Sequence, residues 1–510
     1  MKNMKRGLPL AAAFLLCAAL FAGCSRSAGN AASAGNAGRT DLIIALTSDV
    51  ATLHPANYST TSELHVLRQV FDTCNFAIVD GSNTQPQPRI AESYTVSADG
   101  LTYTYRLRRD VKFHNGDALT SKDVKFSIEL FQQSPYQDSW VEGIESVQTP
   151  DDYTVVVKLE NLYAPYLLNF TQVMIVPMDY FNSIGAEAFA NAPVGCGPYK
   201  FVSRAIGNNI VLEAFDGYYR GAAAIKNVEF KVMVSGSTRA IALQTEDIDL
   251  AEIAASDYSV LSSEPNIVIQ QIPTTSYCFV TMNQERSPFN NLKFRQAVSY
   301  AINRQDMINV ALDGFGTENS IIISPLVFGY SADVPTYNYN PERAKALLAE
   351  AGIATPLNLG PIPTSERYIK QATILQSNLA DIGLNTTIET LEFNTLISQT
   401  MGGQFGIAIM GLTFEPDPTQ HSLLFSPVYI GGPNMSRYRD NEVTEWFNEA
   451  VKTPNDTERA AIYKKIFQRV QEDAAYASIY NPTYLVAYNK ALNIIVSLND
   501  TYYVYDAAWR

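Results

Sequence analysis

The sequence predicts an α/β protein of several domains with mixed sheets, and three observations predict it. At 510 residues the chain is too long for one compact core, so two or three domains are expected. Segments with strand periodicity recur along it, and segments with helix caps lie between them in irregular alternation. The composition, 46% hydrophobic and 17% charged, is that of an ordinary globular protein.

The elements follow in chain order. Residues 1–23 read as a signal peptide. Lys2, Lys5 and Arg6 precede "LPLAAAFLLCAALFAG", an apolar stretch too short and too rich in small residues for a good spanning helix. "LFAGC" then resembles the lipobox of bacterial lipoproteins. Cleavage before Cys24 would free its thiol for lipid attachment and hold the protein on a membrane. An ordinary secretory signal with an incidental cysteine is the other reading. Residues 24–40, rich in Gly, Ala, Ser and Asn, read as a flexible tether with a reach of about 20 Å. Folded structure is expected from "DLIIALTSD" onward.

"TYTYRLRR" (102–109), "DYTVVVKLE" (152–160) and "NIVLEAF" (209–215) read as strands. "TSKDVKFSIELFQQ" reads as a helix with a capping box, Thr120 with Asp123 three residues on. "NPERAKALLAEAG" starts at the cap residue Asn340, has Pro341 in its first turn and stops at Gly352. Residues 458–474 read as a long amphipathic helix. No repeat of solenoid period is present.

The formal charge of −14, with no basic run outside the first six residues, argues against nucleic acid as a partner. Removing residues 1–23 makes the chain three charges more negative. It also leaves Cys24, Cys74, Cys196 and Cys278, which fit neither a disulfide framework nor a zinc pattern; buried free thiols are expected. The four histidines are scattered, so no metal site and no cofactor is expected.

Several blocks together carry a resemblance. "PRIAESYTVSADGLTYTYRLRRDVKFHNGDALTSKDVKFSIELF" (88–131), "NAPVGCGPYKF" (191–201), "MNQERSPFNNLKFRQAVSYAINRQDMI" (282–307), "YNPERAKALLAEAGI" and "GLTFEPDP" (411–418) occur in order. The chain from about 41 to 495 resembles the family 5 extracellular solute-binding proteins of ABC importers, which include oligopeptide, dipeptide and nickel binders. The resemblance implies a bilobal periplasmic-binding-protein-like fold (class II, three-subdomain type) with mixed sheets and two crossing hinge strands. Lobe I would comprise 41–62, 172–274 and 481–510. A subdomain, 63–171, would be inserted in it, and lobe II would run over 275–480. The hinge strands would lie near Thr275–Phe279 and Ala477–Tyr484.

The same resemblance implies the site. Glu415 aligns with an aspartate that pairs with a peptide's free α-amine, and Asp417 falls on the D-P pair that shapes that loop. Arg367 aligns with an arginine that grips the ligand carboxylate, for which a guanidinium fork is suited. Main-chain groups of Tyr58 and Ser59, and of the 275–279 strand, are expected to hold ligand backbone by strand addition. Tyr277, Phe414 and Tyr480 are candidate walls. Leu412 stands where the family usually has tryptophan, and Cys196 where it usually has threonine.

The implied protein is a monomeric, lipid-anchored binding protein on the outer face of the cytoplasmic membrane. It would capture short peptides and deliver them to membrane permease subunits, and would not be an enzyme. A nickel chelate, an oligosaccharide or another small solute is the alternative cargo; a surface hydrolase or an adhesin is the remote alternative. "FHNGD" (113–117) invites an acid–base reading, but Asn115–Gly116 is a strong turn signal. "VGCGPY" lacks the spacing of a nucleophile elbow.

Overall fold

The computed structural model describes residues 38–77, 86–497 and 502–510; Cys24 and most of the expected tether lie outside them. The expected α/β architecture with mixed sheets is observed. Its largest sheet has ten strands. Asp41–Leu46 pairs parallel with Asn227–Val232 on one side and Leu250–Glu252 on the other. Asn209–Ala214 and Tyr199–Ala205 extend the sheet antiparallel. Leu42, Ile44 and Leu46 enter one core and Ala45 the other, so both faces are covered. A strand buried on both faces needs apolar residues throughout, which is why "DLIIAL" shows so little alternation.

The strand Tyr476–Asn489 joins the lobes. Its second half pairs with Ile267–Pro273, from Pro273↔Thr483 to Ile267↔Asn489. Its first half pairs with Ser276–Met282, as in Cys278↔Tyr480 and Val280↔Ala477. Chain therefore passes between the two halves of this sheet twice, side by side, at Thr274–Thr275 and at Asn481–Thr483. The crossings are tied together: Thr274 Oγ1 donates to the Pro482 carbonyl (2.8 Å), and Asn481 Nδ2 to the Ser276 carbonyl (2.7 Å).

In lobe II, Cys278, Val280 and Met282 face a core built with the helices Leu292–Ala301 and Ile369–Asp381. Tyr277 and Phe279 face a second core that holds Phe425, Tyr463 and Phe467. This is the period-two consequence of a strand between two layers. Arg304, 3% exposed, donates Nε–H to the Ser478 carbonyl (2.9 Å) and so pins the crossing strand. Burial lowers its pKa to about 10, against some support from Glu318.

The inserted segment forms a four-stranded antiparallel sheet, ordered Ala91–Val96, Thr102–Leu107, Thr154–Leu159, Ile144–Asp151. The helix Ser121–Gln132 packs on it. Asp123 Oδ2 accepts from the Thr120 N–H (2.8 Å), the capping contact read from the sequence, and Oδ1 accepts from the Met178 N–H (2.9 Å). Its core is continuous with that of lobe I.

"FHNGD" and "VGCGPY" meet each other. His114 Nδ1 accepts from the Gly195 N–H (3.2 Å), so Nε2 carries the proton and donates to the Gly197 carbonyl (3.0 Å). Burial pushes the imidazole down to about 4, so it is a neutral strut. The glycine turn presses on the end of the helix Thr61–Val70: Gly197 N–H donates to the Val70 carbonyl (2.9 Å). A Cβ on Gly195 would collide with that carbonyl. Gly195→Ala is expected to lower stability by about 1–3 kcal/mol through overpacking; a chemical-denaturation midpoint checks it. Cys74, Cys196 and Cys278 are free and buried.

Candidate functional site

Between the segments 139–169 and 415–452 lies a cavity of about 500 Å³, within the range of small-ligand sites. Trp140, Glu142, Glu160, Leu162 and Tyr163 face it from one side, and Glu415, Thr419, Gln420, Tyr429 and Lys452 from the other. The two sides touch beside it, where the Ala164 N–H donates to the Val451 carbonyl at 2.6 Å.

Glu415 sits in this wall because its neighbours anchor the loop. The strand Ile407–Thr413 ends just before it. Phe414 is buried against His421, with ring centroids 4.7 Å apart, and Tyr277, 6.0 Å apart. On the other side Asp417 accepts from the Thr419 N–H (3.0 Å) and is ion-paired with the buried Arg459. The Pro416 carbonyl accepts from the Phe328 N–H (2.7 Å). Glu415 is thus held between two buried anchors, half-buried itself, with no hydrogen bond or ion pair of its own among the described residues. Burial raises its pKa, against the opposing pull of Arg68. Tyr58 is nearby: burial moves its phenol up to about 12, and the Glu415 charge adds to that rise while Arg68 opposes it. A half-buried acid without a partner in a cavity wall has the chemistry to pair with a cation.

The other expected residues are placed differently. Asp417 borders the cavity, but its carboxylate is spent on Arg459 and Thr419. Tyr277 (1% exposed) and Phe414 lie in the core of lobe II, because their positions on strand and loop turn them inward. Tyr480 lies in the opposite core and accepts from Gln371 Nε2 (2.7 Å). None of these three lines the cavity. Arg367 is exposed at the start of the helix Ile369–Asp381, its guanidinium 5.8 Å from the Tyr368 ring and 5.9 Å from Phe393. It does not line the cavity either.

Strand addition to 275–279 meets a physical obstacle. Ser276–Met282 is internal to the sheet, paired on one edge with Ile407–Thr413 and on the other with Tyr476–Asn489. At Tyr58–Ser59 the Tyr58 carbonyl accepts from Gln137 Nε2 (2.7 Å), and the Ser59 N–H donates to Glu63 (2.7 Å).

Glu63 escaped sequence reading. It is fully buried and accepts from the N–H groups of Ala51, Thr52, Ser59 and Thr60, so one carboxylate shapes the whole approach to the cleft. The signal was present as a second capping box, Thr60 with Glu63. Trp140 and Lys452 carried no motif and reach the cavity only through the fold.

His421, beneath the loop, is fully buried, and neither ring nitrogen has a well-formed hydrogen bond. Burial holds its pKa near 3, against slight support from the Pro418 carbonyl, where the ordinary value is 6.5. The unfolded chain therefore binds the extra proton first, and His421 costs stability progressively as pH falls from about 6.5 toward 3. His421→Phe is expected to flatten part of the loss of thermal stability between pH 6.5 and 4, measured by melting across that range.

Among the described residues no group of three or more His, Cys, Asp or Glu is placed to hold a metal, and no helix is long and apolar enough to cross a membrane.

Comparison with known proteins places these features in context. Residues 85–428 match the model of the bacterial extracellular solute-binding proteins, family 5 Middle. Heme-binding protein A of Haemophilus influenzae is 28% identical over 433 residues, covering 78% of this chain and 79% of its own. The dipeptide-binding protein of Escherichia coli is 28% identical over 439 residues, covering 78% and 81%. The oligopeptide-binding protein AppA of Bacillus subtilis is 26% identical over 515 residues, covering 94% of each. Its structure in complex with a nonapeptide superimposes with a TM-score of 0.76, covering 92% of this chain and 99% of that one.

Proposed function

From the premise that the chain belongs to the bacterial extracellular solute-binding proteins, family 5, we propose that it is the substrate-binding protein of an ABC importer and captures short peptides with a free amino terminus. The carrying observation is Glu415, an unpaired and half-buried acid in the wall of a cavity between the segments 139–169 and 415–452. Relatives named for oligopeptides and dipeptides support the ligand class. Binding, with no covalent step, does the work: the lobes rotate about the paired crossings near Thr274 and Asn481, and ligand shifts the population toward the closed form. The closed form then docks on permease subunits. Lipid attachment at Cys24 would keep the protein beside them on the outer face of the cytoplasmic membrane.

Trp140 gives one specific ground for a second reading, an oligosaccharide, since an indole in the wall suits stacking on a sugar ring. Its Nε1–H is already committed to Gln137 Oε1 (2.6 Å).

Thermal melting of the chain from Asp41 onward separates the classes. Free-amine di- to pentapeptides are expected to raise the midpoint in proportion to the logarithm of their concentration. N-acetylated peptides, cellobiose, heme and nickel–histidine are expected to leave it in place. Stabilisation by cellobiose, heme or nickel–histidine alone would replace the peptide reading, and equal stabilisation by N-acetylated peptides would overturn the free-amine contact.

A further inference from the structure

The acids around the strand Ile144–Asp151 are divided by their partners. Glu145 does not line the cavity and is paired with Lys158 at 2.7 Å. Glu142 lines the cavity and has no ion pair among the described residues. Glu160 stands beside it: its N–H donates to the Gly143 carbonyl (2.9 Å), one step beyond the register pair Ile144↔Leu159. It too lines the cavity without an ion pair among the described residues. Desolvation raises the pKa of the Glu142 carboxyl group, and the charge of Asp138 adds to the rise. Glu415 faces these two acids from the other side, while Asp417 is neutralised by Arg459. The wall is therefore acidic, and its one cation among the described residues is Lys452. Aromatic rings stand between the acids. Trp140 has its Nε1–H spent on Gln137 Oε1 (2.6 Å), and the Tyr163 hydroxyl accepts from Asn169 Nδ2 (3.2 Å), so both bring mainly ring surface to the cavity. Rings beside carboxylates suit a cation on an apolar stem: the stem lies along the rings and the charged head reaches the acids.

We infer that the preferred cargo carries a second positive charge, a Lys or Arg side chain of the peptide held by Glu142 and Glu160 while the amino terminus pairs with Glu415. The inference rests on the peptide reading above and adds to it a charge selectivity. A neutral side chain leaves Glu142 and Glu160 side by side and uncompensated, and an acidic one adds to their repulsion. A basic side chain offsets both. Lys452 is left for the carboxylate end of the ligand.

Calorimetric titration tests this with free-amine tripeptides that differ at one side chain, Ala-Lys-Ala, Ala-norleucine-Ala and Ala-Glu-Ala, and with 1,5-diaminopentane. The native chain is expected to bind the lysine peptide about tenfold more tightly than the norleucine peptide, the order of a partly desolvated ion pair with a cation–π contact. The glutamate peptide is expected to bind most weakly. Glu142→Gln combined with Glu160→Gln, both at exposed positions where folding is not at stake, is expected to bring the lysine-to-norleucine ratio below about threefold. Glu145→Gln, on the same strand but off the cavity, is expected to keep the native ratio. Equal affinity for the lysine and norleucine peptides in the native chain, or a native ratio in the double variant, overturns the charge selectivity and leaves the peptide reading standing. Failure of every free-amine peptide to bind, or binding of 1,5-diaminopentane as tight as that of the lysine peptide, overturns the peptide reading itself.

Discussion

Arg459→Met is expected to destabilise lobe II by about 3–5 kcal/mol, the cost of leaving one member of a buried ion pair alone. Arg459 and Asp417 have side chains only 6% and 8% exposed. The guanidinium also lies 4.7 Å from the Phe328 ring centroid and 5.5 Å from that of Tyr463. Removing it strands the Asp417 charge beneath the Glu415 loop. Adding Asp417→Leu to Arg459→Met is expected to restore a good part of the loss, because an apolar pair of similar volume carries no desolvation cost. Urea unfolding followed by circular dichroism reads both effects. A single variant as stable as the native chain would show that the pair contributes nothing to holding the loop.

Glu415→Gln is expected to weaken binding of free-amine peptides by about 1–3 kcal/mol, the range for a buried charged partner left unsatisfied. Fold and melting point should hardly change, since the carboxylate has no intramolecular partner to lose. The pH dependence follows from the raised pKa. An ammonium ligand binds the ionised form, so affinity falls as pH drops into the range where the carboxyl group takes up a proton, and it falls sooner than for an exposed glutamate. In the glutamine variant that dependence should disappear. Titrations between pH 4 and 8 on both proteins check the magnitude and the sign.

Much of the fold was legible because its signals are local. Caps at Thr120 and Asn340 and the doubly buried run "DLIIAL" each point to an element from a few residues. The strand Tyr476–Asn489 changes partner at Asn481–Thr483, where Ile267–Pro273 gives way to Ser276–Met282. The site was legible only where it is sequential. "GLTFEPDP" places Glu415 just past a strand end and directly before Pro416, and the fold keeps it there. The aromatic walls were not legible, because Tyr277, Phe414 and Tyr480 look the same in sequence whether they face a cleft or a core. Which side they face depends on two layers packing around one sheet. Arg367 is likewise ambiguous: an arginine after a strand can as well be a solvated surface residue, and it is found exposed just before a helix. Glu63 was hidden for the opposite reason. The capping box marks only its contact with Thr60; the partners at Ala51, Thr52 and Ser59 come from a loop with no pattern of its own.

The most direct measurement is a thermodynamic cycle on the amine contact: the affinity of one peptide, free and N-acetylated, for the native chain and for Glu415→Gln. If Glu415 receives the ligand's ammonium group, acetylation costs the native chain at least tenfold in affinity and costs the variant little, the difference being the coupling energy of that pair. An acetylation cost equal in the two proteins would mean that the ammonium group is held elsewhere, and the assignment of this cleft would fall.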